Sequence, residues 1–442
     1  MLINTTNYLN SGPKEKTKYL WFLSYILSNI AGGIISPLIP LFVVLYLHSS
    51  VFYVGLTTSI ASLATVPAFI FWGNLSDTSG GRKIFVVIGF IGSTLSLFLI
   101  IIAHMIWTYI GVLALFQFIA MAASPVATLL ILENTNKEEW AITLAKFSVC
   151  SYVGLIIGLI AGTAIITIYA SISHIILPML YILSAFVYLA AGISAILVLP
   201  SSLQKVKRSL VFTSFSARFR EKVKFFSGTI LHVINLKNRK KSLPLLPRTR
   251  NYIFITCLLM LGFQVFFVPY PVYMIEKLSA NDNQIFFMYL LNYIFAAVGY
   301  IIANKYLSTM GLRKTISLTL LSRIFLIGIV AAIVFMSLSA APILYLFILI
   351  YGIMGFTWSF IGLTWITSIS KIALPANRGK AIGFYNSFLG IAQVAGSAIS
   401  GLIAYYISYG FDFLVAIIII IIGSIITSSF YIQNSELENT IP

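Results

Sequence analysis

The chain has 442 residues, of which 60% are hydrophobic, 14% aromatic and only 9% charged, and it carries a formal charge of +17. Soluble domains carry roughly 25% charged residues, and a water-soluble chain of this length has no means of hiding so much apolar surface. Most of the chain must therefore face lipid or another apolar helix, and a soluble enzyme or soluble binding module is excluded.

Crossing a bilayer takes about 20 apolar residues per helix. Runs of that kind occur at 18–46, 51–76, 82–104, 107–133, 140–169, 174–199, 251–275, 283–307, 314–337, 341–370, 379–408 and 411–432, twelve in all. They are too long for barrel strands, and open strands leave backbone groups unsatisfied in lipid, so helices are expected. The predicted fold is an all-α membrane protein of twelve spans in two six-helix halves. Its parts are an N-terminal tail (1–17), a first bundle (18–200), a basic linker (201–250), a second bundle (251–432) and a C-terminal tail (433–442).

The charges give this threading an orientation. With residue 1 inside, Lys14, Lys16, Lys18, Arg82, Lys83, Lys137 and the basic cluster of 205–250 all fall on one side. Lys305, Arg313, Lys314, Lys371, Arg378 and Lys380 follow them, and only Lys277 lands in an opposite loop. By the positive-inside rule both termini are cytoplasmic, with the cell membrane as the expected location. The same distribution argues against nucleic acid, which needs a continuous basic face on a folded domain. Met1 to Ser11 lack the charged start, apolar core and cleavage site of a signal peptide, so the first span is expected to serve as the membrane signal.

Between spans two and three runs Gly73-Asn-Leu-Ser-Asp77-Thr-Ser-Gly80-Gly-Arg82-Lys83, read as a short, charged, glycine-broken turn. It resembles the loop G-x-L-x-D-x-x-G-x-R-K between the second and third helices of major facilitator superfamily transporters, matching at Gly73, Leu75, Asp77, Gly80, Arg82 and Lys83. The resemblance covers nearly the whole chain except the linker. It extends to Gly32-Gly33-Ile-Ile-Ser-Pro37-Leu-Ile-Pro40 in span one and to Arg378-Gly379-Lys380-Ala-Ile-Gly383 at the start of span eleven. It implies a transporter that moves a small organic solute by alternating access, and a cytoplasmic charge lock. In that lock Asp77 caps the start of span eleven near Gly379, and Arg82 pairs with Glu133 at the inner end of span four.

Two family features depart. Span five carries Gly154, Gly158 and Gly162, similar to the exporter motif G-x-x-x-G-P-x-x-G, but Leu159 replaces the proline, which weakens the antiport the motif implies. The fourth-helix arginine of many proton-coupled members has no counterpart, and Gln117 is the one strongly polar side chain in the core of span four.

The residues also repeat. Gly80, Arg82 and Lys83 recur as Gly311, Arg313 and Lys314, and Pro37 and Pro40 as Pro269 and Pro271, at a shared offset of 231 to 232. A common offset over two regions argues for duplicated halves around a central cavity. Ser308 stands where the second copy of Asp77 would be. Within the linker, Phe215, Phe219, Val223, Phe226 and Ile230 recur at helical spacing with Arg218, Arg220, Lys222 and Lys224 between them. That pattern suits an amphipathic helix on the anionic lipid leaflet, with a disordered basic loop as the alternative.

Polar side chains inside spans are expensive and usually face the bundle interior. Asn29, Gln117, Gln264, Asn292, Arg323, Trp358, Trp365, Asn386 and Gln393 are therefore candidates for a substrate cavity, with interhelical hydrogen bonding and packing as the alternative roles. Arg323 lies nine residues into span nine. Its charge must reach water, helix carbonyls or a ligand anion, or snorkel back to the interface. No carboxylate falls at mid-membrane depth. Asp77, Glu133, Glu138, Glu139, Glu276, Asp282 and Asp412 sit at span ends or loops, so the coupling proton or ion, or its absence, stays open.

Cys150 and Cys257 suggest neither a disulfide framework nor a metal site, and His48, His104, His174 and His232 form no ligand-spaced pair. No cofactor is expected, no nucleotide-binding loop is present, and a monomer is expected. A membrane enzyme would need clustered His, Asp or Glu at one membrane face, and a common receptor would have seven spans. Among carriers, the aromatic content and scarce buried charge lean towards amphipathic or neutral solutes, as in a multidrug exporter. A nutrient importer or uniporter for a sugar, organic acid or similar solute is the alternative.

Overall fold

The computed structural model describes residues 20–79, 82–124, 126–127, 130, 140–169, 173–199, 246–337, 341–373 and 378–434. The tails, most of the linker with its amphipathic pattern, Gly80 and Glu133 lie outside these. The helices are α1 (Phe22–Leu41), α2 (Val51–Ser79), α3 (Arg82–Phe98), α4 (Ile106–Ala120), α5 (Trp140–Ile168) and α6 (Ser173–Val198), then α7 (Pro247–Phe267), α8 (Tyr270–Lys277), α9 (Asp282–Phe335), α10 (Ala341–Ile372), α11 (Arg378–Tyr406) and α12 (Tyr409–Gln433). Among the described residues, eleven helical stretches are long and apolar enough to cross a membrane, and α4 adds a shorter apolar one.

Proline and glycine explain where the helices depart from the expected spans. In α1, Pro37 has no N–H for the carbonyl of Gly33, and the Ser36 hydroxyl donates to that oxygen instead at 3.2 Å. After Pro40 the helix widens into a π turn over Phe42–Tyr46. In the second half Pro269 breaks the expected span 251–275 into α7 and α8. Helix α7 also begins at Pro247, within the segment read as linker, because proline is well suited to the first helical position.

Three boundaries differ from expectation. The presumed turn Gly73–Lys83 is helical through Ser79 and again from Arg82, so Gly73 and Asp77 belong to the last turns of α2. Span four, expected over 107–133, is interrupted after Ala120 and is helical again at 124, 126–127 and 130, the described residues beyond the break. Turns occupy Met121–Ala123, just before Pro125, which has no N–H for the carbonyl of Met121, and the Tyr25 hydroxyl donates to Ala123 O at 3.1 Å. Spans eight and nine are two helical limbs, as expected, but they follow one another within α9 almost without a loop and part at Gly311, where φ is 78° and ψ 169°. Only glycine adopts that conformation freely.

Packing in the two halves follows the same scheme. In the first, α1 packs on α5 and α6, α3 on α6, and α2 on α4. In the second, α7 packs on α11 and α12, and α9 on α10 and α12. The halves meet mainly where α2 lies on α11 and α5 on the first limb of α9. Small residues set these approaches, as they do between helices in lipid. A Cβ at Gly158 would collide with Ile30 O and one at Gly154 with Ile26 O, so both glycines seat α5 on α1. The next in the series, Gly162, faces Phe286 of the other half instead.

Candidate functional site

The second limb of α9 places Arg323 against α7 and α10, fully buried. Its Nε donates to Thr357 Oγ1 at 3.0 Å and its Nη2 to the carbonyl of Met354 at 2.8 Å. The Thr357 hydroxyl donates to the same carbonyl at 2.9 Å, which fixes its lone pair towards the guanidinium. Three aromatic rings surround the charge: Arg323 Cζ lies 4.5 Å from the Phe263 centroid, 5.4 Å from Phe267 and 5.5 Å from Trp358. Such cation–π contacts are worth about 2 kcal/mol or more when desolvated. Nη1 is buried and has no hydrogen-bond partner among the described residues. Of the fates expected for this charge, snorkelling to the interface is ruled out by the burial, and helix carbonyls take part of the load.

The tryptophans share one face of α10, as their spacing of seven requires. Their rings are 6.1 Å apart, edge to face. Trp365 is buried and stacked on Phe263 at 6.1 Å, whereas Trp358 is half-buried. Asn292 of α9 donates to Tyr351 O of α10 at 2.7 Å, and the Tyr351 ring packs 5.5 Å from Phe267. Arg323, Trp358, Trp365 and Asn292 thus belong to one cluster joining α7, α9 and α10. Half-buried Phe267 and Trp358 form its outer layer and Arg323 its inner one.

The other candidates stand apart from that cluster. Asn29 donates to Tyr25 O of its own helix at 2.7 Å, at the α1–α5 contact. Gln117 and Gln393 are half-buried, and Asn386 is exposed. Gln264 is half-buried where α7 crosses α11 at Gly396. No hydrogen bond or ring contact ties Gln117, Gln264 or Asn386 to Arg323 among the described residues. Of the lock residues, Gly73 and Gly379 are helical, the side chain of Asp77 lies outside the described ones, and so do Gly80 and Glu133 as a whole. Lys83 donates to Leu199 O at 3.0 Å, just past the end of α6, where a cation complements the helix dipole.

Sequence reasoning missed the partners of Arg323, namely Phe263, Phe267, Met354 and Thr357. It also missed a polar group at the other end of the second half. Asp412, in the first turn of α12, is fully buried, with one oxygen accepting from Ser400 Oγ at 3.3 Å and the other unpartnered among the described residues. Nearby, Tyr409 donates to Glu276 at 2.8 Å, beside a cavity of ≈ 420 Å³ lined by Tyr273, Lys277 and Ser337 among others. Nothing in the spacing distinguished Asp412 from an exposed residue at a span end. No cluster of metal-binding side chains occurs among the described residues.

Comparison with known proteins agrees with this architecture. Over 140 residues the chain is 30% identical to the multidrug resistance protein MdtG of Erwinia billingiae (strain Eb661), covering 30% of this chain and 34% of that protein. The match therefore spans about a third of the relative's length. The crystal structure of the nucleoside transporter NupG superposes with a TM-score of 0.70 at 12% identity, covering 94% of this chain and 99% of NupG. A POT family transporter, solved in complex with a thioalcohol-conjugated peptide, gives a TM-score of 0.72 at 11% identity over 96% of each chain. At these identities the likeness is one of fold. The sequence profile of the Major Facilitator Superfamily matches residues 21–361 and 252–440, and the chain is a membrane transporter belonging to that family.

Proposed function

We propose that this chain is a secondary transporter that exports small amphipathic organic compounds from the cytoplasm by alternating access. The observation that carries the reading is the aromatic cluster on the second half, in which half-buried Phe267 and Trp358 cover a deeper polar layer. Rings of this kind bind apolar bodies, while the few polar groups fix orientation. The similarity to a multidrug resistance protein points the same way. The two halves touch mainly along two helix pairs, which suits rocking of one half against the other around a central site. Nutrient import is the second reading, supported by the fold shared with a nucleoside transporter.

In this reading the protein is a monomer in the cell membrane, with the termini and the 201–250 linker cytoplasmic, as the one-sided lysines and arginines indicate. The outer ends of the spans are then those near Val51, Lys277 and Tyr409. Reconstitution into liposomes tests the function: amphipathic dyes and nucleosides are offered in counterflow, and faster exchange of the dyes is expected. Exchange of nucleosides alone replaces export with import, and no exchange of any solute removes the carrier reading. Orientation is tested by single cysteines at positions 235 and 240, which are expected to resist an impermeant maleimide in intact cells.

A further inference from the structure

We propose that Arg323 is the anion-recognition point of the transport site, so that the preferred solutes are amphipathic organic anions, an aromatic or apolar body bearing a carboxylate. This rests on the carrier reading above and names its substrate class. A guanidinium has five N–H donors in a planar fork and keeps its charge under any physiological condition. Here two of its nitrogens are engaged, by Thr357 and Met354, and Nη1 has no partner among the described residues. Both groups that hold it are neutral. The rings of Phe263, Phe267 and Trp358 satisfy the faces of the cation but not the in-plane N–H groups.

A purely structural arginine in lipid is normally paired with an acid or fully bonded to carbonyls. This one is held in a defined orientation by two bonds, with the remaining edge left over. That is how a site prepared for a planar bidentate acceptor is arranged. The aromatic surroundings supply the second half of the recognition. Trp358 and Phe267 are half-buried, and their ring centroids lie 5.5 and 5.4 Å from the guanidinium carbon. In the complex these rings would pack on the solute's apolar body while the in-plane N–H groups take its carboxylate.

The test uses the full-length protein in lipid nanodiscs, with benzoate, salicylate, 2-naphthoate and indole-3-acetate as probes, each paired with its uncharged amide. Binding is read by tryptophan fluorescence and thermal shift, and flux by counterflow in liposomes. At least one carboxylate is expected to bind tenfold or more tightly than its amide, and in Arg323→Gln the two should bind alike. Arg323→Lys, which keeps the charge but loses the fork, should restore part of the preference. If Arg323→Gln does not fold, Thr357→Val removes the acceptor that orients Nε and is expected to reduce the preference severalfold. The proposal is overturned if no carboxylate in the panel binds, if amides bind as tightly as their acids, or if the preference survives in Arg323→Gln. Counterflow of neutral or cationic solutes, with no such preference, defeats the anion site and leaves the carrier intact. Binding of the acids with no flux of any solute defeats the carrier reading instead.

Discussion

Gly55 of α2 and Gly401 of α11 lie back to back across the junction of the two halves. A Cβ on Gly55 would stand 2.8 Å from Gly401 Cα and 2.6 Å from Ser397 O. One turn further along, Ser59 donates to Val394 O at 2.9 Å, and deeper still Gly390 faces Val66. The halves therefore meet backbone to backbone at the end of the bundle that the charge distribution assigns to the outside. Helices that approach this closely leave no room for a side chain.

From this contact, Gly55→Val is expected to wedge the outer ends of α2 and α11 apart and to lower the counterflow rate tenfold or more. A cysteine replacing Phe52, on the next turn of α2, should become more reactive to an impermeant maleimide in the Gly55→Val background. Normal exchange with unchanged labelling would show that closure does not need this contact.

Within the first half, Gly158→Ala sets the new methyl against the carbonyl of Ile30. Backbone yields less readily than a side chain, and overpacking of this kind costs about 1–3 kcal/mol. Gly328→Ala is the matched control, since nothing lies within 4 Å of a Cβ there. Better helix propensity should make that change neutral or stabilising, by up to about 1 kcal/mol. Thermal unfolding of the two purified variants gives the comparison. Equal losses in both would mean that the α1–α5 contact is looser than the structure has it.

These positions also show how far the sequence carries the fold. Pro37, Pro40, Pro269 and Gly311 act locally, by a missing N–H or a positive φ, so their effect can be read from residue type and the repeat offset. Arg323 was legible in part. Its depth follows from counting along a helix, but its partners do not, because Phe263 and Thr357 lie 60 and 34 positions away and reach it only through the α7–α9–α10 packing. The glycine series of α5 shows the same limit. Its spacing predicts close contact, while the split between α1 for Gly154 and Gly158 and the opposite half for Gly162 is decided by tertiary geometry. Asp412 gave no signal, since burial at a helix start depends on what α7, α9 and α11 place over it.

The first half also holds a buried hydroxyl pair. Tyr109 of α4 and Tyr181 of α6 are joined at 2.8 Å, and the Tyr109 ring is stacked on Phe42. Interhelical hydrogen bonds in membrane proteins contribute about 0.6 kcal/mol on average and up to about 1.7. Tyr181→Phe should cost an amount in that range, and Tyr109→Phe added to it should cost little more, because the bond is lost once. Additive losses in a double-mutant cycle would place the stabilisation in the rings rather than the hydroxyls.

Asp77 is the acidic residue of the segment Gly73–Lys83. It falls in the final turn of α2, where the helix dipole disfavours an anion by about 0.3–1 kcal/mol, and a carboxylate kept there needs a compensating partner. Helix α11 packs against α2 in the opposite direction and begins at Arg378, with Gly379 as its second residue. The unbonded amide groups of that first turn are what an anion prefers. A contact between Asp77 and the start of α11 would hold the inner ends of the halves together, and transport would require it to break and re-form. Asp77→Asn keeps the shape but weakens the pull on those amides, so counterflow should fall tenfold or more while the yield of folded protein changes less than twofold. Lys83→Ala is the control at the same end of the bundle. It removes the bond to Leu199 O and should cost stability of about 0.3–1 kcal/mol with a much smaller effect on rate. If Asp77→Asn exchanges solute at the normal rate, or if it fails only in step with lost protein, the aspartate fixes topology and does not act as a lock.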